Sequence, residues 1–182
     1  MPGCDGGTGD QGRGRTLGGG GQSFDEIFAR YQGPIYRYIL GMVGDVEQAQ
    51  DLAQDTFVKV YGALPRSGDV ALPAWLYRIA ARTALDALRR RRLVRWLPLR
   101  EGDDEPCGAG EVNLPTRCAA REGIAHALAR LSPTQRACLL LRARDGLSID
   151  EIADILRLSP GNVKVTLSRA KARFRRAYDA AH

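Results

Sequence analysis

Residues 146–178 read GLSIDEIADILRLSPGNVKVTLSRAKARFRRAY. The stretch carries two helix starts separated by a three-residue connection. Ser148 stands three residues before Glu151, the spacing in which hydroxyl and carboxylate satisfy orphan backbone donors reciprocally, so a short helix opens at Ile149 with Ile152, Ala153 and Leu156 on its apolar face. Ser159 followed by Pro160 opens the second: a side-chain acceptor at the N-cap and a proline where a missing N–H costs nothing. Arg157 to Ser159 leave so little chain that the helices must cross steeply, with Ala153, Val163 and Leu167 at the contact. The second helix is one-sidedly basic, carrying Lys164, Arg169, Lys171, Arg173, Arg175 and Arg176 with no acid before residue 179. This is a helix-turn-helix pattern. Such a motif sets the first part of its second helix in the major groove, which makes Asn162, Lys164, Val165, Ser168 and Arg169 the residues expected at base edges, with Arg173 and the arginines beyond it on backbone or solvent.

Charge along the rest of the chain is uneven. The whole 182-residue chain has a formal net charge of +6 and a pI near 9.5, with 44% hydrophobic and 26% charged residues. That is an ordinary folding composition with a preference for polyanions. Phe24 to Leu64 holds six acids against three bases, whereas Ala74 to Arg100 holds eight arginines against Asp86 alone. Two kinds of surface follow, one for nucleic acid and one for a protein. Cys4, Cys107, Cys118 and Cys138 form no CxxC pair, and His126 and His182 complete no zinc pattern, so no metal or cofactor is expected and the thiols read as reduced. No apolar run reaches membrane-span length and no hydrophobic signal core opens the chain, which points to a cytoplasmic protein.

Residues 1–22 are glycine-dominated and read as a disordered tail. Helical periodicity begins at Ser23: Phe24, Ile27, Phe28, Tyr31, Ile35, Tyr38 and Ile39 make one stripe, with a break or kink expected at Gly33-Pro34. Asp45, with Gln48 three residues on, opens a second helix whose apolar stripe is Val46, Ala49, Leu52, Ala53, Phe57, Val60 and Leu64. Its opposite face is polar: Asp51, Gln54, Asp55 and Lys59. Pro65 to Asp69 form a loop, and Pro73 starts a third helix with Trp75, Leu76, Ile79, Ala80, Thr83, Ala87 and Leu88 inward and Arg78, Arg82, Arg89 and Arg90 along one side. Trp75 and Tyr77, at the helix start, suit stacking on unpaired bases, although Trp75 also suits the core and Tyr77 an exposed site. Pro98, Gly102, Pro106, Gly108, Gly110 and Pro115 mark a linker. A helix then carries Ile124, Leu128 and Leu131 inward, and the capping box Ser132–Gln135 opens another that buries Cys138 and ends before Gly146.

FDEIFARYQGPIYRYILGMVGDVEQAQDLAQDTFVKVYGAL (24–64), PAWLYRIAARTALDALRRRR (73–92) and LSPTQRACLLLRARDGLSIDEIADILRLSPGNVKVTLSRAKARF (131–174) together resemble bacterial RNA polymerase sigma factors of the extracytoplasmic-function class, which keep only regions two and four. The resemblance implies an all-α chain of two small helical domains: a tail over 1–22, region two over 23–95, a flexible linker over 96–116 and region four over 117–182. It implies a protein that is not an enzyme but binds core polymerase through the largest-subunit clamp coiled coil and the flap. Asp51, Gln54, Asp55 and Phe57 would meet the clamp. The minus-ten element would meet Arg66 and Ser67 in the base-capturing loop, with Trp75, Arg78, Arg82, Arg89 and Arg90 beside it. The minus-thirty-five element would meet Asn162, Lys164, Val165, Ser168, Arg169 and Arg173. A cognate anti-sigma factor is the further partner implied, and linker acids such as Asp103 and Asp104 would mimic nucleic acid in the polymerase cleft. The chain departs from the family pattern at Asp55, where glutamate is common, at Thr83, where asparagine is common, and at Arg157, a turn position usually held by glycine. A stand-alone helix-turn-helix regulator is the rival reading and predicts tight duplex binding without polymerase at a palindromic site.

Overall fold

The computed structural model describes residues 23–64, 71–96 and 118–180, with the side chains of 94–96 and 118–121 left aside. Among them lie seven helices and no strand ladder. The glycine-rich tail, the Arg66–Ser67 loop, the linker acids and the thiols of Cys4, Cys107 and Cys118 all lie outside this description.

Helix α1 runs Phe24–Val43 from a complete Ser23–Glu26 capping box to Gly44, whose left-handed φ of 77° turns its N–H back onto the Leu40 carbonyl at 2.8 Å. The expected break at Gly33-Pro34 does not occur; Pro34 sits inside one continuous helix. An interior proline costs about 3 kcal/mol. Here Ile27 on one side of it and Ile35, Tyr38 and Ile39 on the other all sit in the same core, and burying each such side chain contributes about 1.5–3 kcal/mol. Burial across the proline outweighs the lost hydrogen bond.

Helix α2, Val46–Ala63, starts where Asp45 accepts the Gln48 N–H at 2.7 Å. Ala49, Leu52, Ala53, Phe57 and Val60 are buried as the spacing requires, while Val46, at the exposed first turn, is not. Helix α3 spans Leu72–Trp96, so Pro73 is its second residue and not its first. Its inward face is built on alanines, Ala80, Ala81, Ala84 and Ala87, which let α1 and α2 approach closely. Thr83 is buried as well and accepts a hydrogen bond from Lys59 Nζ at 3.0 Å, tying α3 to α2.

The C-terminal half holds α4 (Cys118–Ala129), α5 (Pro133–Ala143), α6 (Ile149–Leu156) and α7 (Pro160–Asp179). Ser132 and Ser148 make full capping boxes with Gln135 and Glu151, and Ser159 accepts the Asn162 N–H ahead of Pro160. Glu151 is held below the usual glutamate range by its hydrogen bonds to the Ser148 backbone and side chain. In α4 the inward residue is Ala127, with Leu131 beyond the helix; Ile124, expected inside, is 44% exposed and Leu128 half-buried. On α6 Ile155 joins Ile152 and Ala153 in the core, and both Ile149 and Leu156 are only half-buried.

Arg157 closes α6 in the left-handed region at φ 54°, where its N–H meets the Ala153 carbonyl and Leu158 N–H reaches the same oxygen at 2.9 Å. A side chain there crowds its own backbone. Replacing Arg157 with glycine is expected to stabilise the fold by about 0.5–1 kcal/mol, part of the relieved strain being offset by glycine's larger unfolded-state entropy. Thermal unfolding checks this: the midpoint rises by a few degrees, roughly as ~1 kcal/mol does in a domain of this size.

The two helical halves touch in this structure. Leu140 of α5 packs on Gly41 of α1 so closely that an added Cβ there would lie 3.0 Å from Leu140 Cδ1. One hydrophobic cluster runs from Ile27, Tyr38 and Met42 through Leu76 and Tyr77 into Leu140, Leu141 and Ile152.

Candidate nucleic-acid and protein interfaces

The outer face of α2 is the acidic surface. Asp51, Gln54 and Asp55 are all exposed, and neither carboxylate has an ion-pair partner among the described residues. Phe57 does not share that face: it is 5% exposed and meets Phe28 edge-on at 4.9 Å, so it supports the helix from beneath. Val58 does share it, 71% exposed and one heptad after Asp51. The sequence carried a signal for Val58: an apolar residue on the polar side of the stripe. Next to it Tyr61 is 46% and Phe28 39% exposed, joined through Phe24, which stands 5.1 Å edge-on from Tyr61 and 6.0 Å from Phe28. The resulting surface has an acidic stretch beside an aromatic one, a combination suited to a basic protein partner with apolar side chains.

The basic side of α3 presents Arg78, Arg82, Arg89 and Arg90, all exposed. Asp86 orders two of them, standing 3.9 Å from Arg82 Nε and accepting from Arg89 Nη1 at 3.3 Å. With both arginine side chains more than 70% exposed and Asp86 45% exposed, these pairs orient the guanidinium groups and add little stability. Trp75 is half-buried against the core, whereas Tyr77, expected outside, is 6% exposed. Tyr77 packs edge-on against Tyr38 at 5.6 Å and donates its hydroxyl to Asp145 Oδ1 at 2.7 Å. A partner 68 residues away gave no signal in the sequence. Arg66 and Ser67 lie outside the described residues, and Thr83, buried under Lys59, faces the core and not solvent.

Helix α7 divides cleanly. Val163, Leu167 and Ala170 are buried, and Asn162, Lys164, Val165, Ser168, Arg169 and Arg173 stand outside together, Val165 being 49% exposed. A half-exposed valine between Lys164 and Arg169 offers an apolar contact for a thymine methyl amid donors for base edges and phosphates. Phe174 and Tyr178 stack at 6.0 Å further along the helix, past the base-reading residues. Cys138 is fully buried and its thiol is pushed up to about 11 by burial, which leaves it a small core residue.

Comparison with known proteins shows the family of the chain. The family model for Sigma-70 region 2 matches residues 27–94 and that for Sigma-70 region 4 matches residues 121–174. The RNA polymerase sigma-H factor of Pseudomonas aeruginosa is 33% identical over 170 residues, covering 86% of each chain. The extracytoplasmic-function sigma factor SigM of Mycobacterium tuberculosis is 32% identical over 85% of this chain and 76% of its own. Among solved structures, the sigma factor RpoE in complex with the anti-sigma factor NepR from Bartonella quintana shares the fold with a TM-score of 0.67 at 23% identity, covering 86% of this chain and 96% of that one. The chain belongs to the extracytoplasmic-function class of RNA polymerase sigma factors and is an alternative sigma factor.

Proposed function

We propose that this sigma factor docks on the clamp coiled coil of core polymerase through Asp51, Gln54 and Asp55 on α2, with Phe57 holding that helix from below. The observation that carries the reading is the unpaired acidic face of α2, set apart from two arginine- and lysine-bearing faces on the same chain. Arg78, Arg82, Arg89 and Arg90 then meet the upstream edge of the minus-ten element, with Trp75 beside the loop that carries Arg66 and Ser67. Capturing an unpaired base in that loop offsets part of the few kcal/mol that extruding it costs, so melting needs no nucleotide hydrolysis. Asn162, Lys164, Val165, Ser168, Arg169 and Arg173 read the minus-thirty-five element in the major groove. The chain has no reaction of its own; nucleotidyl transfer belongs to the polymerase. It works in the cytoplasm; no described helix is long and apolar enough to cross a membrane.

A cognate anti-sigma factor is the further partner of this reading, supported by the RpoE–NepR complex and by the complex of CnrH with the cytosolic domain of CnrY, which matches with a TM-score of 0.61 at 24% identity. Fluorescence anisotropy tests the central partner. The labelled full chain is expected to bind purified core polymerase saturably while showing no tight affinity for any duplex alone. Tight binding to a palindromic duplex, with none to polymerase, would favour the stand-alone regulator.

A further inference from the structure

The aromatic surface beside the acidic face of α2 has a neighbour of complementary chemistry in the same chain. Phe24 meets Tyr61 edge-on at 5.1 Å and Phe28 meets Phe57 at 4.9 Å, so the start of α1 lies beside the end of α2. Val58, Tyr61 and Phe28 present apolar surface at that corner, and the exposed acids Asp55 and Asp51 continue from it along α2. Lys59, the only base in Val46–Ala63, is turned aside to Thr83. Residues 1–22 join the chain at the same corner, because Ser23 caps α1 directly before Phe24. In that stretch the only bases are Arg13 and Arg15, and Leu17 is the only large apolar side chain apart from Met1. All three fall in RGRTL, residues 13–17, which Gly18 to Gly21 and Gln22 separate from Ser23.

We propose that the segment Arg13 to Leu17 docks in cis on this face, Leu17 on the apolar surface of Phe28, Val58 and Tyr61 and the two arginines on Asp55 and Asp51, and so competes with core polymerase for α2. The competition rests on the clamp reading above; the docking itself does not. Chain lengths allow it. Leu17 stands six residues from Ser23, a reach of up to about 20 Å, and Val58 lies one turn, about 5 Å, along α2 from the tyrosine that touches Phe24. From Leu17 back to Arg13 an extended chain spans about 13 Å, and from Val58 back to Asp51 the helix rises about 10 Å, so the arginines fall beside the carboxylates. Exposed arginine–carboxylate pairs are individually weak, and the apolar contact beside them supplies the attraction that salt does not screen. The short glycine spacer does the rest: it sets an effective concentration on the order of millimolar, so a contact of only about millimolar strength is occupied half the time or more.

Trypsin reports the docking without polymerase, because it cuts after Arg13 and Arg15 only when the segment has left the face. In the full chain, D51N/D55N/V58D is expected to be cut at these two sites, identified by mass, at least twofold faster than wild type, at unchanged unfolding midpoints. All three substituted residues are exposed on α2 and lie far in sequence from the cleaved bonds. Equal cleavage rates would overturn the docking. Protection that grows with protein concentration would place the segment on a second copy and overturn the cis arrangement as well.

Polymerase affinity tests the consequence. R13A/R15A/L17A is expected to bind core polymerase about two- to fivefold more tightly than wild type, the gain from vacating a face otherwise occupied about half to four-fifths of the time. Unchanged or weaker binding would overturn the competition, whatever the cleavage rates. If neither wild type nor this variant binds polymerase, the clamp reading has failed instead, and the cleavage rates alone decide the docking.

Discussion

Changing Asp51 and Asp55 together to arginine is expected to weaken binding to core polymerase at least about a hundredfold and to remove promoter-specific transcription. Both carboxylates are exposed on α2 and neither has an ion-pair partner among the described residues, so the described fold does not depend on them. Surface substitutions of that kind change stability by about 0.5 kcal/mol or less. The effect falls on the partner. Close charge pairs across an interface couple by about 1.5–7 kcal/mol, and reversal replaces attraction by like-charge repulsion, so about 3 kcal/mol is a low expectation. Unfolding midpoints unchanged beside an abolished anisotropy signal would locate the defect at the interface. A parallel change of Val58 to aspartate, on the same face and 71% exposed, is expected to weaken binding less, because it removes only an apolar patch.

The second large effect belongs to α7. Lys164→Ala with Arg169→Ala is expected to leave polymerase binding intact and to cut transcription from promoters that depend on the minus-thirty-five element by about 10- to 100-fold, as removal of a base interaction worth about 1–3 kcal/mol predicts. Both side chains are exposed, next to a buried face of Val163, Leu167 and Ala170 that keeps the helix in place without them. Salt separates the two kinds of interaction. Removing one phosphate interaction lowers the slope of log affinity against log salt by about 0.9, whereas removing a hydrogen bond to a base edge relaxes preference for one sequence. A single substitution that shifts the slope, with no change in sequence preference, would assign that residue to the backbone.

Local signals in the sequence were enough for most of the fold. Ser132 and Ser148 each stand three residues before a Gln or Glu and Ser159 stands just before a proline, and all three cap as expected. The short turn from Arg157 to Ser159 was legible from the two adjacent helix starts, whereas the left-handed backbone at Arg157 was suggested only by the glycine that the family usually holds there. Where the reading missed, tertiary packing had overruled a local rule. Pro34 looked like a kink or a break because its penalty is local; the break does not occur because the burial that offsets that penalty comes from α2 and α3. Ile124 looked inward by hydrophobicity alone, yet Ala127 takes the inward place. The exposed residues of the acidic and basic faces were readable from periodicity, since what lies opposite an apolar stripe must face out. Tyr77 was not, because its environment is set by Tyr38 and Asp145 from elsewhere in the chain. The contact of the halves was invisible for the same reason: Arg136, Arg144 and Asp145 look like ordinary surface charges until their partners, the Met42 and Arg37 carbonyls and the Tyr77 hydroxyl, are known.

The most direct test of the sigma-factor account is reconstituted transcription: core polymerase, with and without this protein, on a pool of genomic fragments, with RNA 5′ ends mapped. Discrete start sites that appear only with the wild-type protein and vanish with the doubly reversed α2 variant are the predicted result. Start sites unchanged by the protein, from polymerase shown to be active with another sigma factor, would contradict it.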